Sequence, residues 1–191
     1  EARRNQRDVR YTGIEIQEEE TELAKRSAKL NGTGSIMTFL TGDLKQAAEF
    51  FPKQSFDVVT CNPPYIRQGA GIVNPDDAKA VSRHEIRCSL EDVLRAASDM
   101  LKPSGKLFMV HRPNRFPEIP GLLRKGHIGI SRVRFVHPYA DREASLVLIE
   151  GIKNTQAETH IEPPLILYEA DGGYTEALKG IYGSGQMPKG L

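Results

Sequence analysis

The chain has 191 residues, 39% of them apolar and 27% charged, with a net charge of +1 at pH 7 and two cysteines. That length suffices for one domain with a real core, and no apolar run approaches the length of a membrane span. A near-neutral balance carries no global nucleic-acid signature, so any RNA footprint must be local. Cys61 and Cys88 form no CxxC and are too few for a metal cage or a disulfide framework. The polar opening Glu1-Ala2-Arg3-Arg4 does not read as a signal peptide. A cytoplasmic protein with reduced thiols and no metal is expected.

Residues 1–10 read as a loop or helix tail. Tyr11 to Ile16 reads as a short strand ending on an acid, Glu15. Glu18-Glu19-Glu20 then opens a helix with Leu23, Ala24, Ser27, Ala28 and Leu30 at helical spacing. The acids complement the helix dipole and Asn31-Gly32 closes it. Ser35 to Leu40 is a second strand, Thr41-Gly42-Asp43 a turn, and residues 44–51 a short helix. Phe56 to Cys61 is a buried strand, a run like Val58-Val59 suiting a sheet covered on both faces. Strand, helix, strand, helix, strand implies a parallel sheet with right-handed crossovers.

The central strand runs into Asn62-Pro63-Pro64-Tyr65. Two prolines lack N–H donors, fix φ and forbid continuation of the strand. They leave a rigid loop at a strand's carboxyl end, where ligands bind in open α/β sheets. The loop offers the Asn62 amide oxygen, the Pro63 carbonyl and the Tyr65 ring. Two converging acceptors suit a planar NH2 group, and a ring beside them suits stacking of an extruded base. A proline-stiffened loop with a stacked tyrosine and no catalytic role is the bland alternative.

Farther on, Gly69-Ala70-Gly71 is a flexible loop, and Asn74-Pro75-Asp76-Asp77 starts a helix over 76–86. Ser89-Leu90-Glu91-Asp92 caps another, with Leu90, Val93, Leu94, Ala97 and Leu101 on one face. Lys102 to Gly105 stops it. Lys106 to Val110 is the next strand, ending at His111-Arg112-Pro113. A helix runs from about Ile119 to Lys125. Two strands, Ile130 to His137 and Ala144 to Ile152, form an antiparallel hairpin through residues 138–142. Beyond Lys153 lies a polar peripheral tail, with Leu165 to Tyr168 as one more candidate strand.

Asn-Pro-Pro-Tyr after an apolar strand resembles motif IV of the S-adenosylmethionine-dependent amino methyltransferases. Arg83-His84-Glu85, Leu101-Lys102-Pro103, Val110-His111-Arg112-Pro113 and Val136-His137-Pro138 sharpen the resemblance. Together they look like the bacterial tRNA1(Val) adenine-N6-methyltransferase family, over about Tyr11 to Tyr182. The resemblance implies one Rossmann-like class I methyltransferase domain over residues 1–191, its mostly parallel α/β sheet ending in an antiparallel hairpin. It implies S-adenosylmethionine as cofactor and tRNA as partner, with no membrane, metal or obligate protein partner. The adenine N6 amine in the anticodon loop of a valine tRNA would be the methyl acceptor.

Residue by residue, the resemblance assigns catalysis to Asn62, Pro63, Pro64 and Tyr65. It assigns cofactor contacts to Glu15, Ile16, Asp43, Leu44 and Asn62, with Glu15 on the ribose and Asp43-Leu44 on the adenine. Substrate contacts fall to Tyr65, Arg83, His84, Arg112 and Arg115. Glu15 and Asp43 also read as a capping acid and a turn residue. The family's first strand and Gly-rich cofactor loop do not precede Tyr11, which implies an N-terminally incomplete chain or a lost cofactor site. Two other functions stay open: a glutamine-N5-methyltransferase acting on a release factor, and a catalytically silent RNA-binding module. For RNA, the basic stretch between Lys102 and His137 is the candidate footprint, Arg112 and Arg115 gripping phosphates and Arg124 and Lys125 extending the track.

Overall fold

The structure, a computed structural model, describes residues 9–63 and 88–182. Pro64, Tyr65, Arg83 and His84 lie outside the described residues, as do the Gly69–Gly71 loop and the helix expected over 76–86. The chain divides into two compact units, Glu1–Pro52 and Lys53–Leu191.

The first unit is a βαβ element followed by two short turns of helix. Strand β1 (Tyr11–Glu15), helix α1 (Glu18–Leu30) and strand β2 (Met37–Thr41) come in that order. A 3-10 turn (Leu44–Gln46) and helix α2 (Ala47–Phe50) follow. The two strands pair in parallel, from Tyr11 opposite Met37 to Glu15 opposite Thr41. Parallel pairing requires a crossover, and α1 supplies it. Its first turn carries Glu18, Glu19 and Glu20, and it buries Thr21 and Ala28. The Asn31 side chain donates to the Ser27 carbonyl at 2.9 Å, occupying one of the acceptors that a helix end leaves over.

The second unit is a larger sheet with strand order β3-β4-β6-β5-β7, β8 also pairing with β5. Its elements are β3 (Phe56–Cys61), α3 (Leu90–Met100), β4 (Leu101–His111), a 3-10 helix (Pro113–Glu118), α4 (Ile119–Lys125) and β5 (Ile128–His137). Then come β6 (Leu146–Lys153), β7 (His160–Ile161), β8 (Leu165–Ile166) and α5 (Glu176–Tyr182). Strands β3 and β4 are parallel, and β6 is antiparallel to both β4 and β5. Thus β3, β4 and β5 all point the same way, and Cys61, His111 and His137 end at one edge. The connection between β5 and β6 projects from that same edge, as the hairpin expectation requires.

The period-two pattern decides which face is buried. On β4, Leu107 and Met109 face one way, with Val147 and Ile149 of β6 and Val133 of β5. Against them pack Leu90, Leu94 and Ala97 of α3 and Ile119 and Leu123 of α4. Leu101, Leu107, Ile119, Leu123 and Val147 are wholly inaccessible to solvent. Burial of each such side chain contributes about 1.5–3 kcal/mol. Helix α3 begins with the expected capping box: Ser89 Oγ accepts from the Asp92 N–H at 3.2 Å and Asp92 Oδ2 accepts from the Ser89 N–H at 3.0 Å.

Strand β4 differs from expectation. It begins at Leu101, directly after α3, and Lys102–Gly105 loop out as a bulge, Phe56 pairing with Leu101 but Val58 with Lys106. The buried Leu101 holds the strand start in the core, while Pro103 needs no ladder partner inside a bulge. Ser104 takes a left-handed φ of 63°. Gly105 is required, because a Cβ there would meet the Lys102 carbonyl at 2.8 Å. At the opposite edge of the sheet the strap after β6 crosses Gly129, where a Cβ would lie 2.1 Å from the Thr155 carbonyl.

Candidate active site

Strand β3 delivers Asn62 to the carboxyl edge of the second unit, exposed, with Pro63 buried behind it. The strand is not covered on both faces as expected: it stands first in its sheet's strand order, and Val58 is 48% exposed. The buried proline ring anchors the chain's exit from the strand, which fixes where the Asn62 amide stands. Asn62 shares a cavity of about 560 Å3 with Thr60, Phe108, Val110, Leu148 and Arg134. Beside it, burial pushes the Cys61 thiol up to about 12, so no thiolate forms there near neutral pH. What remains at the strand end is amide and carbonyl chemistry: acceptors for N–H donors.

The neighbouring strand β4 ends at His111, which is fully buried. Its Nδ1 accepts the Arg112 N–H at 2.8 Å. Burial, and next the charge of Arg115, hold the imidazole below its ordinary 6.5, so it is neutral at pH 7. Arg112 is exposed and donates from Nη1 to the Ser145 carbonyl at 3.2 Å, tying the end of β4 to the start of β6. Arg115 is turned inward: its side chain is 11% exposed and paired with Glu118. The 3-10 helix eclipses residues three apart, which puts those two side chains together. Arg124 and Lys125 stand at the far end of α4, beside the start of β5, and Lys125 pairs with Glu91 at 2.9 Å. Of the basic track expected from the sequence, the structure leaves Arg112 at the carboxyl edge and carries Arg124 and Lys125 to the opposite one.

In the first unit, Glu15 and Asp43 follow the ends of adjacent parallel strands. A Glu15 carboxylate oxygen accepts the Gln17 N–H at 3.0 Å, and its backbone carbonyl accepts from Gly42 at 2.9 Å. Asp43 Oδ1 accepts the Lys45 N–H at 2.9 Å and so starts the 3-10 turn, with Lys45 Nζ 3.5 Å from Oδ2. Asp43, expected as a turn residue, thus caps the 3-10 turn, which orients its carboxylate, whereas the cap position of α1 falls to Gln17 and not to Glu15. Ile16 and Leu44, next to the two acids, are half-buried. Two fixed carboxylates at the carboxyl ends of neighbouring strands suit the hydroxyl and amine hydrogens of a nucleoside.

Sequence reasoning did not single out Glu150. It is 6% exposed in the middle of β6, paired with Lys106 at 3.0 Å and with Arg132, which also reaches Glu162 at 3.0 Å. Burial alone would raise its carboxyl, but hydrogen bonds from Lys106 and Arg132 hold it below its ordinary 4.5. The signal was a single acid inside the apolar run Leu146–Ile152. Among the described residues no group of three or more His, Cys, Asp and Glu could hold a metal ion, and no helix is long and apolar enough to cross a membrane.

The methyltransferase-domain family matches residues 1–154. The chain belongs to that family. A curated tRNA1(Val) (adenine(37)-N6)-methyltransferase of Dyadobacter fermentans is 30% identical over 145 residues, covering 70% of this chain and 58% of that protein. The protein of the same description from Porphyromonas gingivalis (strain ATCC 33277) is 25% identical over 174 residues, covering 87% of this chain and 66% of its own length. This methyltransferase chain therefore spans less than two thirds of these relatives. Among solved structures, a predicted O-methyltransferase from Agrobacterium tumefaciens superposes with a TM-score of 0.69 at 23% identity, over 89% of this chain and 75% of that one. The fold is thus that of the class I S-adenosylmethionine-dependent methyltransferases, α/β and Rossmann-like. The match runs through both compact units and ends at the last residues of β6.

Proposed function

We propose that this chain is part of an S-adenosylmethionine-dependent tRNA adenine-N6-methyltransferase, acting on an unpaired adenine of the anticodon loop of a valine tRNA. The observation that carries the reading is Asn62-Pro63, held at the carboxyl end of β3 by a buried proline, with an exposed arginine at the end of the next strand. Supporting it are the curated relatives, which share one activity in name.

When bound, S-adenosylmethionine supplies an electrophilic methyl group. The residues of the first unit fit such a cofactor: Glu15 takes the ribose hydroxyls and Asp43, with Leu44, the adenine edge, Ile16 packing beside them. Asn62 Oδ1 and the Pro63 carbonyl accept the two hydrogens of the substrate amine. An aryl amine is a poor nucleophile because its lone pair is delocalised. Two fixed acceptors favour a more tetrahedral nitrogen and stabilise the positive charge that grows there. Holding the amine in line also removes an entropic part of the barrier. No strong base is required, and a neutral His111 agrees with that. Pro64 stiffens the loop and Tyr65 stacks on the base, with Arg83 and His84 on the RNA. Arg112 is the phosphate contact at this edge, whereas Arg115 supports the fold through Glu118.

The test is incubation of the protein with methyl-labelled S-adenosylmethionine and either tRNA or release factor. Label recovered as N6-methyladenosine in the anticodon loop is expected. Label recovered as N5-methylglutamine, or no transfer to any tRNA, would overturn the reading.

A further inference from the structure

Three tyrosine rings form a ladder at the edge that carries Asn62. Tyr139 follows the end of β5 in the β5–β6 connection. Its ring centroid lies 5.5 Å from that of Tyr168 at 34°, and Tyr168 lies 5.3 Å from Tyr174 at 23°. The stack is held in place: the Tyr168 N–H donates to the Pro138 carbonyl at 2.9 Å, and Tyr168 bridges to Tyr174. Tyr168 and Tyr174 are half-buried against Leu165, Leu167 and Leu178, while Tyr139, at the outer end, is 37% exposed. Two of the three rings lie beyond residue 154, where the methyltransferase-domain match stops.

Strand order gives its distance from the amine-holding site. Three strand spacings separate β3 from β5, or roughly 14 Å at the usual interval. A group stacked on Tyr139 is therefore not the base held by Asn62, yet it lies within the span of one RNA loop. Charge decides which part of RNA fits. Asp141, Glu143, Glu169 and Asp171 flank the rings in sequence, four acids against two nearby cations, Arg142 beside Asp141 and Lys179 within the field of Glu169 and Asp171. Phosphate is disfavoured there; an uncharged base face, with amine hydrogens for the carboxylates, is not.

We propose that Tyr139, backed by Tyr168 and Tyr174, is a stacking platform for a second, unmethylated base of the substrate RNA. The inference rests on the tRNA reading above and adds a specificity contact to it. Stacking needs no counterion release, so this contact contributes to affinity without contributing to its salt dependence.

The experiment is a binding cycle with anticodon stem-loops, each carrying one abasic position, measured with wild type, Tyr139→Phe and Tyr139→Ala. Wild-type affinity should fall between about fivefold and a hundredfold when one loop position is abasic, the range of base–aromatic stacking. Tyr139→Ala should lose the same factor on intact RNA and show no further loss at that position, with an unchanged salt slope and unchanged kcat at saturating RNA. Tyr139→Phe should behave as wild type. Additive losses at every position, or a lowered salt slope, would overturn the platform. A wild type that methylates tRNA while the cycle stays additive refutes the platform alone. A wild type that neither binds nor methylates any tRNA refutes both readings.

Discussion

The two compact units hold their functional residues in different ways. In the first, Glu15 and Asp43 are fixed by bonds spanning two residues, with only Thr21, Ala28 and Ala47 buried among the described side chains. In the second, Arg112 ends β4, whose Leu101, Leu107 and Met109 are nearly or wholly shielded from water, and Asn62 ends β3, which pairs with β4 but has no buried side chain of its own. The first unit positions groups by local turns and the second by a core. On the proposed reading, short turns are enough to hold two carboxylates in place for a nucleoside. On the same reading, the amine acceptor at Asn62 is steadied through the pairing of β3 with the core strand β4.

The contrast is broken most severely from within the core. Leu107→Ala should cost about 2–5 kcal/mol in denaturant unfolding, the usual range for a fully buried leucine. Phe39→Ala, at a half-buried ring in the first unit, should cost less; an equal or larger loss would mean the units are comparably packed. Next comes Asn62→Ala, which should lower kcat by about a hundredfold or more, as loss of an oxyanion-hole donor does, with cofactor affinity nearly unchanged. Near-normal methylation by that variant would remove the amine-holding role.

A smaller effect separates the units by pH. Glu150 is held below its ordinary 4.5 in the folded protein, so its contribution to stability is present above that value. It is lost as pH falls through the folded-state value. Melting temperature followed from pH 6 downward should therefore decline in wild type, and the decline should flatten in Glu150→Gln. A parallel decline in both proteins would show that Glu150 does not carry it. The smallest effect belongs to Arg112→Ala, which should reduce the log–log salt slope of tRNA binding by about 0.7–0.9. An unchanged slope would place the phosphate contacts elsewhere.

Much of this arrangement is legible in the residues themselves. The Ser89 capping box, the helix at Ile119–Lys125 and the hairpin of β5 and β6 were readable because cap chemistry and alternation are local signals. So was the end of β3, where Pro63 forbids continuation. The start of β4 was not, since Pro103-Ser104-Gly105 looks like a terminator and only the pairing of Leu101 with Phe56 makes it a bulge. Arg115 read as a displayed cation because its pairing depends on a 3-10 turn that the sequence does not announce. Strand β7 and helix α5 are too short for periodicity, and they are fixed by contacts with distant segments: Arg132 opposite His160, and the Thr175 hydroxyl donating to the Ile166 carbonyl at 2.6 Å.

The reversed strand β6 has a further consequence. Because it runs against its two neighbours, its connection to β5 emerges at the edge that carries Asn62, whereas its other end enters the strap that presses on Gly129. The first of these is pinned at its ends, where the Pro138 carbonyl accepts from Tyr168 and the Ser145 carbonyl from Arg112; the second leaves no room for a Cβ at Gly129. Exchanging residues 140–144 alone, between those pinned ends, alters what the edge displays while keeping the bonds that hold the connection to its neighbours.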